Sequence, residues 1–209
     1  MKNIIQIIML IALTAVYSFS QEENKTKLFG GRALFNINSF STGNSSVDQY
    51  VNTGYGYGIG VVERITLIAN SLTVDAEFHF LYREIFSSSI YNALYATTVN
   101  ENVNEFAFGI SPMLNFMPAA SVPFYLSAGA QMDWPFSSKY EIRAGGQSQS
   151  TNYQNRSSFD FGIVMGAGYN ATENLTIDFR FVLGLKSLSS VSGDNSSFNQ
   201  FNFGVIYFY

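Results

Sequence analysis

The chain has one histidine, His79, and two carboxylates stand close to it, Glu77 two residues before and Asp75 four before. In an extended segment these three side chains point the same way. Three chemistries could use the set. Nucleophilic catalysis would pair imidazole and acid with a serine hydroxyl, but no serine accompanies His79 at strand spacing. Oxygen and imidazole ligands could hold a metal ion. General acid–base work would need a cleft around the two acids. The fourth use is structural. Arg32, Asp178 and Arg180 have the same inward parity on their own segments, and a buried charge left alone is costly. We therefore assign no catalytic, cofactor or metal-ligating residue. Arg32, Asp75, Glu77, Asp178 and Arg180 are expected to form one structural charge network, with His79 at its border.

Those residues need elements to position them, and the chain supplies eight stretches of period-2 alternation. They run over 27–37, 52–64, 72–84, 103–116, 123–136, 158–169, 175–185 and 199–209. In the last one Phe201, Phe203, Val205, Tyr207 and Tyr209 share a face, and Gln200, Asn202 and Gly204 lie on the other. The third is the most regular, with Leu72, Val74, Ala76, Phe78, Phe80 and Tyr82 opposite Thr73, Asp75, Glu77, His79, Leu81 and Arg83. Pro112 interrupts the fourth, where a bulge is expected. Gly54, Gly56, Gly58 and Gly60 alternate along the second and leave room for long side chains opposite. No helix pattern follows them, so a dinucleotide-binding loop is rejected.

The connections alternate in length. Residues 38–51, 85–102, 137–157 and 186–197 are long and polar, while 66–70, 117–122 and 170–174 are short. Long loops at one end, short turns at the other and an even strand count are the pattern of a transmembrane barrel. The expected fold is an all-β, eight-stranded antiparallel up-and-down barrel with short periplasmic turns and four longer extracellular loops.

Composition agrees with that class. Only 12% of the 209 residues are charged and 16% are aromatic, against about a quarter charged in soluble domains. Cysteine is absent, which removes disulfides, thiolate catalysis and cysteine-held metal. The formal net charge is −4 with no basic run, so nucleic acid is not an expected partner. Lys2, a mostly apolar run from Ile4 to Phe19, and the small residues Ser18 and Ser20 read as a signal peptide cut before Gln21. The expected division is 1–20 signal peptide and 21–209 barrel.

The segments FDFGIVMGAGYNATENLTIDFRFVLGL, FNQFNFGVIYFY and LTVDAEFHFLYRE resemble strands of the outer membrane beta-barrel domain family common in Bacteroidetes, which includes PorT-like proteins. The aromatic end at Tyr209 resembles the C-terminal strand read by the barrel-assembly machinery. The resemblance implies an eight-stranded barrel of the OmpA/OmpX type in the outer membrane. The partners it implies are outer-membrane lipid, the assembly machinery and, for PorT-like members, a type IX-like secretion apparatus. The expected function is a small non-enzymatic barrel with a closed lumen, whose loops offer an interaction surface. The alternatives are a secretion accessory and a lipid-modifying enzyme. No cofactor is expected.

Overall fold

The computed structural model describes residues 27–41, 51–69, 71–92, 97–119, 122–153, 157–185 and 197–209. The expected cut before Gln21 lies outside them, as do residues 42–50 and 186–196 of two expected loops. The elements are β1 (Lys27–Ser41), β2 (Val51–Asn52), β3 (Gly54–Ile68), β4 (Leu72–Asn92), β5 (Thr97–Phe116), β6 (Phe124–Ala144), β7 (Gln147–Asn152), β8 (Asp160–Asn170), β9 (Leu175–Gly184) and β10 (Ser197–Phe208). Every pairing is antiparallel, β1 pairs with β10, and β4 pairs with β5. The wall therefore closes as an eight-strand ring. The two extra elements are small: β2 lies on β4 and β7 on β6.

The register gives the geometry of the ring. Starting at Leu28, the partners run Arg64, Asp75, Met113, Gly129, Val164, Val182, Gln200 and then Asn38. One circuit returns to β1 ten residues further on. For eight strands about 4.8 Å apart, that stagger sets a tilt of about 40°.

The two faces of the wall follow from the alternation. Phe78, Phe80, Phe106, Phe108, Leu126, Met165, Ile177 and Phe203 point outward and are exposed, while their polar neighbours in sequence are buried inside. Aromatic rings mark two levels. Near one end Tyr57, Tyr82 and Phe106 stand in a row with centroids 5.2 and 5.1 Å apart. Near the short-turn end Phe124 lies 4.9 Å from Tyr169. Leu72 to Tyr82 spans the wall, about 25 Å at that tilt, the height of a transmembrane apolar band.

Three strands run well past the upper aromatic row. The segments expected as loops over 85–102 and 137–157 are largely strand, because β4, β5 and β6 continue as a blade of about another 25 Å. Gly145 and Gly146 turn β6 into β7 with φ of 56° and 81°, the left-handed pair a tight hairpin turn requires. Pro112 makes no bulge. The β5–β6 ladder passes from Ile110↔Met132 to Met113↔Gly129 without a shift, and the irregularities fall elsewhere, between Phe106 and Ala107, Glu84 and Phe86, and Thr66 and Ile68. The β5–β6 ladder skips Ser111 and Pro112, which has no N–H to give, while on the other side Pro112 keeps register with Ala76.

Candidate functional site

The inward faces bring charged groups from most of the strands into the barrel interior. At mid-height four of them close a ring. Arg32 Nη1 donates to Glu77 Oε1 at 2.6 Å, and its Nη2 donates to Asp178 Oδ2 at 2.9 Å. Arg180 Nη1 donates to Glu77 Oε2 at 2.6 Å, and its Nε lies 2.5 Å from Asp178 Oδ2. Each guanidinium thus meets both carboxylates. The four side chains are at most 4% exposed. Inward glycines make this approach possible. A methyl group at Gly204 would strike Asp178 Oδ1 and the Arg32 guanidinium. Gly60 is the register partner of both Arg32 and His79.

His79 links the ring to a second cluster. Its Nε2 is 2.8 Å from Asp133 Oδ1, and its Nδ1 lies 3.3 Å from Glu77 Oε1, an electrostatic contact without hydrogen-bond geometry. Both nitrogens face carboxylates, so neither is left to activate a serine hydroxyl. Above it Arg83 is the hub. It donates to Asp133 Oδ2 at 2.9 Å and from Nε to Glu105 Oε1 at 2.7 Å, and Nη2 meets Asp160. Gln131 Nε2 donates to Asp133 Oδ2 at 2.8 Å and to Gln200 Oε1 at 3.2 Å, and Gln200 Nε2 donates to Asn38 Oδ1 at 3.1 Å. A cavity of about 20 Å³ beside Arg83, Gln131 and Asp160 has room for about one water.

Asp75 departs from expectation. It does not join the ring. Arg64 grips it with two bonds of 2.7 and 2.8 Å, and the same guanidinium lies over the rings of Tyr125 and Phe208 at 5.2 and 4.7 Å. The reason is register: Arg64 on β3 is the direct cross-strand partner of Asp75 on β4, closer than either ring arginine. Asp75, Glu77 and His79 therefore do not converge. Among the described residues no three His, Asp or Glu side chains are grouped to hold a metal ion. The alternation placed Arg83, Glu105, Asp133 and Asp160 inside, but sequence spacing did not reveal that the ten-residue stagger gathers them.

Apolar side chains sit above and below the charges. Ile85, Val103 and Phe198 pack with Phe40, Tyr140 and Tyr153 at the blade end. Val62, Ile206 and Phe208 pack with Leu28 at the short-turn end.

Several solved structures are similar to this chain at low sequence identity. Neisserial surface protein A is 13% identical, with 88% of this chain and 99% of that chain covered and a TM-score of 0.48. Ail, the attachment invasion locus protein of Yersinia pestis, in complex with a heparin analogue, is 13% identical over 88% of this chain and 100% of its own, with a TM-score of 0.49. OprG of Pseudomonas aeruginosa is 11% identical over 88% and 97%, with a TM-score of 0.46. No curated protein matches the chain. The profile of the outer membrane protein beta-barrel domain matches residues 19–190, and the chain belongs to that family of outer-membrane proteins.

Proposed function

We propose that the protein is a closed, non-conducting and non-enzymatic barrel that carries an interaction surface on its blade and long loops, with that end outside the cell. One observation carries this reading: the interior is crossed by a connected set of buried ion pairs with an apolar cluster at each end. Eight strands enclose a space that side chains fill, and here the filling is charge paired with charge. Its role is to plug the lumen and fix the register. The His79 contacts supply no nucleophile, which supports the non-enzymatic reading. A signal peptide cut before Gln21 and delivery by the barrel-assembly machinery complete the proposal.

The test is electrical. Purified protein in planar bilayers should show no steady single-channel current, and a large stable conductance would overturn the closed lumen. Protease added to whole cells should cut the Gly145–Gly146 hairpin and spare 170–174, and the reverse pattern would invert the orientation. The resemblance to PorT-like barrels supports a second reading, an accessory of a type IX-like secretion apparatus. Co-purification of secretion components from solubilised outer membranes would favour it.

A further inference from the structure

On β5 one strand face runs from the wall into the blade, past the extra residues that the flanking strands carry at Ile85 and Phe136. Leu114, Phe108 and Phe106 are exposed apolar members of it. The next three residues on the same face are Asn104, Asn102 and Asn100. The surface changes from phenyl to carboxamide in a single step, and Tyr82 at the boundary donates its hydroxyl to Asn104 Oδ1 at 3.3 Å. Neighbouring strands continue the polar surface. Ser87 and Ser89 on β4 are the register partners of Asn102 and Asn100, and Ser148 and Ser150 lie beyond β6 on β7. Successive asparagines are about 6.6 Å apart, so the ladder covers about the first 5 to 15 Å above the aromatic row. Charges beside it occur as both signs, with Lys139 and Arg143 on β6 near Glu84 and Glu141.

This face is continuous with the lipid-facing wall and begins where the acyl band ends. In the outer leaflet, that layer holds the sugars of glycolipid headgroups. Carboxamides and hydroxyls both donate and accept, as sugar hydroxyls do. We propose that the Asn100–Asn102–Asn104 ladder binds the saccharide headgroup of an outer-leaflet glycolipid of the protein's own membrane. The proposal rests on the reading that the blade end is external.

The test uses the full-length protein in a zwitterionic, sugar-free detergent, titrated with lipopolysaccharide and with its dephosphorylated form. Binding is read from the side-chain amide resonances of the three asparagines and from the single tryptophan, Trp134, which stacks 5.6 Å from Phe108. Both forms should bind within about twofold of each other, and Asn100→Ala/Asn102→Ala/Asn104→Ala should weaken both about tenfold. Gln147→Ala/Gln149→Ala, on the opposite face of β7, should leave binding unchanged. If the triple variant does not give a folded band on an unheated gel, Asn102→Ala alone serves, with a smaller loss. Unchanged affinity in the asparagine variants overturns the proposal. Loss on dephosphorylation also overturns it, since Lys139 and Arg143 would then be binding phosphate. The cell-surface protease experiment judges the orientation separately, because the micelle titration does not depend on it.

Discussion

Two regions of this molecule hold an arginine against a glutamate at nearly the same distance. In the lumen Arg180 and Glu77 are 2.6 Å apart with side chains 4% and 0% exposed, and on the blade Arg143 and Glu141 are 2.9 Å apart with 59% and 21% exposed. The contacts look alike but do different things. Water screens the blade pair and solvates either partner when the other leaves, so such pairs add little. In the lumen each charge has already lost its water, and only its partners replace it. The contact distance therefore says little about energy. What surrounds the pair decides what its loss would cost.

Breaking the lumen pair should have the largest effect. Arg180→Met leaves Glu77 with Arg32 and His79, and leaves Asp178 with Arg32 alone. Removing one member of a buried pair costs about 3–5 kcal/mol, toward the lower end here because the ring offers second partners. The temperature at which the folded band shifts on an unheated gel should fall clearly. Adding Glu77→Gln should recover part of the loss, because the stranded acid is gone. If neither variant moves that temperature, singly or together, the ring has no structural role.

Steric changes at glycines should sharpen the same contrast at a smaller scale. Gly204→Ala places a methyl group against Asp178 Oδ1 and the Arg32 guanidinium, whereas a methyl at Gly31 meets nothing within 4 Å. Both glycines lie on strands of the same β1–β10 pair. Overpacking in a filled interior costs about 1–3 kcal/mol, so Gly204→Ala should lower the gel-shift temperature and Gly31→Ala should not. Equal shifts would show that backbone propensity, not crowding of the ring, sets the response.

The same contrast explains what could be read without coordinates. Inside the wall, strands alternate apolar and polar because one face meets lipid and the other the lumen, so the strand cores from Lys27 to Tyr209 were legible. In the outer part of the blade both faces are polar, and Ser87–Ser89, Asn100–Asn102 and Gln147–Asn152 carry no apolar–polar alternation. They read as loop although they are strand. The ring of Arg32, Glu77, Asp178 and Arg180 could be proposed because all four fall at similar depths on inward faces. The Arg64–Asp75 pair was missed because Arg64 stood at the expected end of its strand. The gathering of Arg83, Asp133, Glu105 and Asp160 depends on a ten-residue stagger, which only interstrand register reveals.

The smallest effect belongs to the blade pair, and it is visible only to a local probe. The hydrogen bond from Arg143, and then the one from Ser148 Oγ at 2.8 Å, hold the Glu141 carboxyl below its usual titration range. A depressed folded-state value means that the contribution to stability is present above the unfolded value and is lost as pH falls through the folded one. For a side chain this accessible the gel-shift temperature should stay the same across that range. The carboxyl carbon resonance of Glu141 should nevertheless titrate at lower pH than that of an unpaired glutamate. Arg143→Ala should return it most of the way to the ordinary value, and Ser148→Ala only part of the way. A Glu141 resonance that ignores both substitutions would mean that the hairpin carries no ion pair in solution. A gel-shift temperature that drops with Arg143→Ala would mean that an exposed pair, too, holds the shape of the blade.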